Sequence, residues 1–132
     1  MILMWMRLIV SLLIVASAAT LALSADPVSG EKVFKRCLAC HTVGEDAKPG
    51  VGPVLNGLLG RKAGTYPGFK YTEANKNSGL VWDEPTLANY LKNPRAAIPG
   101  TSMTFIGIKK EEEIEDLIAY LKRFGPDGKP PP

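Results

Sequence analysis

The 132-residue chain is poor in reactive side chains: it has one histidine, His41, and two cysteines, Cys37 and Cys40. Together they make three soft or borderline metal ligands, one short of a structural zinc site. Such a chain has room for one small domain and little chemistry of its own, so any redox or metal function must borrow a cofactor. A strong excess of either charge is also missing. The net charge of +3 falls short of the basic patches that nucleic acid binding calls for. There is no internal repeat and no run of alternating apolar and polar residues, which excludes a sheet-based domain and points to an all-α one.

What is present first is a long apolar run. Arg7 precedes LIVSLLIVASAATLALSA, which carries no charge and ends in small side chains, the order of a secretory signal peptide. Ala22 and Ser24 occupy the two positions that a signal peptidase reads, so residues 1–24 are expected to be removed and the mature chain to start at Ala25. Cleavage after Ala18 is the second candidate. An uncleaved membrane anchor competes with both, because Leu8 to Ala25 approaches the ~20 residues of a span. The expected compartment is the periplasm, with membrane anchoring if the segment stays. Cleavage leaves 108 residues, with 15 basic against 13 acidic once Arg7 has gone. At that size only about two-thirds of the unfolded surface is buried, so a cofactor acting as part of the core adds considerable stability.

From residue 25 to 125 the pattern is one of helices joined by loops. Asp26-Pro27 predicts a helix start, running through Phe34 towards Cys37. The stretch from Thr42 to Phe69, rich in Gly and Pro, reads as loop. Thr72 is placed to cap a turn over Glu73–Asn77, and Asp83 a helix over Glu84–Asn93 that Pro94 stops. Ile114, Leu117, Ile118 and Leu121 form one apolar stripe of a helix from about Lys110 to Arg123, with Gly125 placed to end it. The Pro-rich tail, residues 126–132, is expected to be disordered.

The chemistry is concentrated in Cys37-Leu38-Ala39-Cys40-His41. Two thiols three positions apart can each add to a haem vinyl group as a thioether, while the adjacent imidazole reaches the iron. A disulfide across two residues gains little from loop closure. A thioredoxin-like role wants a βαβ context that is missing. The expected cofactor is therefore one haem c, covalent through Cys37 and Cys40, with His41 as a metal ligand. Met1, Met4 and Met6 lie in the leader, which makes Met103 the one thioether of the mature chain and the expected second metal ligand. It sits in the loop Ile98-Pro99-Gly100-Thr101-Ser102-Met103-Thr104-Phe105. A methionine ligand raises the potential, and two protein ligands leave no open site, which favours electron transfer over catalysis.

With CLACH, VGPVLNGLLGRKAGTYPGFKYTEANKNSGLVW, LKNPRAAIPGTSM and DLIAYLK all in place, the chain from about Gly30 to Lys122 resembles the class I cytochromes c, the soluble mitochondrial and bacterial type. The resemblance implies an all-α cytochrome c fold with long loops wrapped around one haem. It implies that the Pro53 carbonyl accepts from the His41 ring, and that Arg61, Tyr71 and Trp82 surround a haem propionate. It implies that Asn75, Tyr90 and Thr101 form a polar set near the Met103 sulfur. Gly30 and Phe34 are expected to meet Leu117 and Tyr120 where the first and last helices cross. Phe105 is expected near the haem edge.

The same resemblance implies a monomeric one-electron carrier and not an enzyme. It would run between a cytochrome bc complex and cytochrome c oxidase, with a photosynthetic reaction centre as the alternative acceptor. A gas sensor or peroxidase-like enzyme would need a displaceable sixth ligand. Lys35, Arg36, Arg95, Lys109 and Lys110 are placed to supply a basic docking ring. Ala96, Ser102 and the run Glu111-Glu112-Glu113 depart from the family's lysine-rich pattern, which weakens that ring or redirects it.

Overall fold

The structure, a computed structural model, describes residues 24–130 and 132. The expected leader, residues 1–24, lies outside them but for its last residue. Among the described residues five helices form: α1 (Pro27–Phe34), α2 (Glu73–Lys76), α3 (Glu84–Lys92), α4 (Pro94–Ala97) and α5 (Glu111–Leu121). Among the described residues there is no strand, only a single antiparallel bridge between Lys62 and Val81. Among the described residues no helix is long and apolar enough to cross a membrane.

The helix starts follow local chemistry. The Asp26 carboxylate accepts from the backbone N–H groups of Val28 and Ser29, Thr72 from Asn75, and Asp83 from Thr86, each satisfying amides that the first turn leaves without partners. Pro94 stops α3 as expected, but it also occupies the first turn of α4, whose free amide at Ala96 is taken by the Asn93 side chain. Proline fits there because a first-turn residue needs no N–H. The sequence reading missed this helix.

The end of α5 differs from expectation too. Arg123 and Phe124 donate back to Tyr120 and Leu121 at 3.1 Å each, a tightened last turn that closes the helix without a left-handed glycine. Gly125 instead opens a turn in which its N–H donates to the Lys129 carbonyl at 3.2 Å and its carbonyl accepts from the Gly128 N–H at 2.9 Å. Residues 126–132, expected to be disordered, therefore begin as an ordered turn. Gly128 is buried there, against the Gly44 carbonyl and the Asn56 side chain.

Helices α1 and α5 cross at Gly30. A Cβ at that position would overlap the Asp116 carbonyl and come within 2.8 Å of the Tyr120 Cβ, so only hydrogen lets the two backbones approach this closely. Phe34 meets Tyr120 beside the crossing, ring centroids 5.3 Å apart. The Asp26 N–H donates to Asp116 Oδ1 at 2.7 Å and locks the start of α1 onto α5. Gly30→Val is expected to force the helices apart and cost about 3 kcal/mol or more, at the upper end for overpacking. Denaturant titration of the haem-loaded protein would measure it, with the visible spectrum unchanged.

Helix α3 packs on α5, so Leu87, Tyr90 and Leu91 share one core with Ile114, Leu117, Ile118 and Leu121. The long loops are pinned at few points. Asn56 clips Gly44 by giving and taking one hydrogen bond, at 2.8 and 2.9 Å. Around the Lys62–Val81 bridge, Trp82 donates to Arg61 and Gly60 donates to Trp82, at 2.9 and 2.8 Å, which sets Arg61 and Trp82 side by side. Ile108 donates to Leu91 at 2.8 Å and returns the Met103 loop to the end of α3.

Candidate functional site

A cavity of about 540 Å³ opens between these helices and loops, within the ~300–1,000 Å³ range of cofactor sites. Its wall is mainly apolar: Leu55 and Leu58 from the first loop, Leu87 and Leu91 from α3, Leu117 and Leu121 from α5, and Phe34 from α1. The structure brings all eleven site residues named from the sequence to this one wall: Cys37, Cys40, His41, Pro53, Arg61, Tyr71, Asn75, Trp82, Tyr90, Thr101 and Met103.

Cys37 and Cys40 sit in a turn that continues from α1, where Cys37 donates to the Phe34 carbonyl at 2.7 Å and His41 to the Cys37 carbonyl at 2.9 Å. Neither thiol is in a disulfide. Burial in the apolar wall pushes the Cys37 thiol up to about 11, so it stays protonated and nucleophilically quiet until activated. The same burial holds His41 below the usual imidazole range, opposed by its bond to Pro53.

That bond fixes the histidine tautomer. His41 Nδ1 lies 2.8 Å from the Pro53 carbonyl, and a carbonyl only accepts, so Nδ1 carries the proton and Nε2 keeps its lone pair for a metal. Gly52 lies directly against the ring: a Cβ there would overlap Cε1 and fall 2.7 Å from Nδ1 and 2.8 Å from Nε2. The sequence reading missed Gly52. A Gly-Pro pair in a loop signals a turn, and nothing local shows that a ring lies against it.

Met103 arrives from the loop after α4. Tyr90 Oη, on α3, donates to its sulfur at 3.1 Å, and the Met103 N–H donates to Thr101 Oγ1 at 3.3 Å. Asn75 Oδ1 accepts from the Thr72 hydroxyl at 3.1 Å. Trp82 packs against Tyr90 with centroids 4.8 Å apart and ring planes tilted by 58°, and the Tyr71 hydroxyl accepts from the Tyr66 N–H at 3.1 Å.

Arg61 is the telling polar residue. Its guanidinium donates to the Asn56 and Val54 carbonyls at 3.0 and 3.2 Å and lies 5.0 Å from the Tyr66 ring centre. Burial lowers its pKa, and among the described residues no carboxylate pairs with it. A half-buried cation on an apolar wall is costly without an anion. A large apolar ring system that carries carboxylates meets that need. With two thiols, a lone-pair imidazole and a thioether on the same wall, the residues fit haem.

Known proteins agree. A family model described as cytochrome c matches residues 27–124. Cytochrome c2 of Blastochloris viridis is 51% identical over 122 residues, covering 92% of this chain and 96% of that protein. Cytochrome c-550 of Bradyrhizobium diazoefficiens is 55% identical over 101 residues, 76% of this chain and 74% of that one. The solved structure of cytochrome c2 from Rhodospirillum centenum superposes with a TM-score of 0.72 at 42% identity, covering 76% of this chain and 99% of that one. The cavity, its donor set and these similarities converge on one assignment: the chain belongs to the cytochrome c family, as an all-α electron carrier that binds haem c.

Proposed function

We propose that the haem is held by thioether bonds to Cys37 and Cys40 and ligated by His41 Nε2 and Met103 Sδ, and that the protein carries single electrons in the periplasm from a cytochrome bc complex to cytochrome c oxidase. The observation that carries this reading is the pairing of two prepared ligands on one cavity wall. His41 is fixed by Pro53, and Met103 by Tyr90 and Thr101. Bound there, the haem supplies one-electron ferric–ferrous chemistry. The chain's part is to keep both ligands in place through each turnover, exclude water with its leucine wall, and balance a carboxylate with Arg61. Two strong ligands leave no coordination position for a substrate, which fits a monomeric carrier.

Tyr90 also sets the driving force. Its hydroxyl withdraws charge from the Met103 sulfur and so favours the ferrous state. Tyr90→Phe is expected to lower the potential by about 20–60 mV, the equivalent of one net hydrogen bond of ~0.5–1.5 kcal/mol. Redox titration against mediator dyes reads it directly.

The decisive test uses the purified native protein. Its mass should equal residues 25–132 plus one haem, which places the processing site after Ser24. Supplied to bacterial membranes with a quinol, it should be reduced by the bc complex and reoxidised by the oxidase, and the reduced protein should not bind carbon monoxide. Ready carbon monoxide binding, or no exchange of electrons with either complex, would refute the proposal.

A further inference from the structure

The loop that carries Pro53 is closed mostly on itself. Gly52 donates to the Cys40 carbonyl at 2.8 Å, Leu55 to Thr42 at 3.1 Å and Leu58 to Leu55 at 3.3 Å. Thr42 Oγ1 donates to the Lys48 carbonyl at 2.9 Å. Among the described residues, one backbone hydrogen bond joins residues 42–58 to a distant part of the chain: Gly57 donates to the Phe124 carbonyl at 2.9 Å.

Phe124 leads into the carboxy-terminal turn, which adds further contacts to the same loop. Pro126 lies over Gly57, where a Cβ would fall 3.0 Å from the proline Cα. Gly128, at φ +77°, sits where a Cβ would overlap the Gly44 carbonyl and come within 2.7 Å of Asn56 Nδ2. Lys129 faces Glu45 at 3.6 Å, an exposed pair that contributes little. Gly128 thus covers the two hydrogen bonds by which Asn56 clips Gly44, and Asn56 is only 7% exposed.

That clip matters on the cavity side. Asn56 follows closely on Pro53, whose carbonyl takes the His41 Nδ1 proton, and the backbone carbonyls of Val54 and Asn56 hold Arg61. A polar clip shielded from water opens rarely, because its partners are left unpaired when it does. An unshielded one competes with solvent and lets its segment open locally.

We propose that the turn over residues 125–129 braces the iron's histidine: Gly128, closing over the Asn56–Gly44 clip, keeps the Pro53 carbonyl seated on His41 Nδ1–H. Gly128 and Asn56 are positioning residues, acting on the ligand through Pro53. The proposal rests on the ligation by His41 given above. A firm bond at Nδ1 fixes the ring and its tautomer, and so keeps the Nε2 lone pair available to the iron in both oxidation states.

The test is proton NMR of the ferrous holoprotein. It follows the His41 Nδ1–H resonance and its exchange with deuterium, with the amide of Leu117, buried in α5, as reference. Gly128→Val, whose side chain would collide with the Gly44 carbonyl, and Asn56→Ala are each expected to speed exchange at Nδ1 about tenfold more than at Leu117. The resonance should move to lower frequency as the bond to Pro53 lengthens. Because both variants act through one clip, combining them should add less than about threefold to the faster one. Deleting residues 126–132 should reproduce Gly128→Val. Equal acceleration at both protons with the resonance unmoved would mean that the turn only stabilises the fold, and overturns the proposal. So does an Nδ1–H that neither variant changes. Failure of the ligation reading looks different: the wild-type His41 ring protons would lack the large haem ring-current shift, and the brace's role at the iron would fall with it.

Discussion

Cys37→Ala with Cys40→Ala, purified free of haem, is expected to give a chain that does not fold. The cavity occupies about 540 Å³, and without the cofactor its apolar wall faces water instead of a ring system, so the burial of every side chain on it is lost. Small domains are stable by only ~5–15 kcal/mol in total. Collapse offers no escape, because the wall is drawn from α1, α3, α5 and two loops, and closing it would dismantle the packing of all of them. Far-UV circular dichroism should show little helix, and chemical denaturation no cooperative transition. A cooperative unfolding curve from the haem-free variant would mean that the protein core stands without the cofactor.

Met103→Ala is expected to have the largest effect on function with the least on attachment. Both thioethers remain, so haem stays bound after denaturation, but the weak red absorption of the ferric iron–sulfur bond disappears. The potential should drop by on the order of 0.1–0.2 V, a modest part of the ~0.8 V range that axial ligands span. Carbon monoxide should then bind, since Tyr90 loses its acceptor and the sixth position opens. Persistence of the red band would show that the sulfur is not a ligand.

How far the site was readable depended on how local each signal is. CLACH is contiguous and its chemistry follows from spacing alone. Met103 was legible by elimination, as the one methionine beyond the leader. Asp26, Thr72 and Asp83 announced their helices because a cap acts within three residues. The wall was harder: Leu55 and Leu58 sit in a loop without a helical or strand period, and only the fold turns them to the same face as Leu117 and Leu121. Gly52 is invisible for the same reason, since its neighbour His41 is distant in sequence. Pro94 was read only as a stop, although the side chain of Asn93 had already prepared a new start. The turn at the start of the tail was not legible because the partners of Gly128, Gly44 and Asn56, lie far upstream and the tail's composition reads as that of a free end.

The crossing at Gly30 joins the first helix to the last, and that has a consequence for biogenesis. Nothing between α1 and α5 substitutes for this pairing, so the fold cannot close until the final helix exists. On the reading that the chain is exported, it is thereby kept open and fit for threading through a translocation channel. Cys37 and Cys40 stay reachable over the same interval. The carboxy-terminal helix acts as a timer: its arrival closes the wall that holds both cysteines.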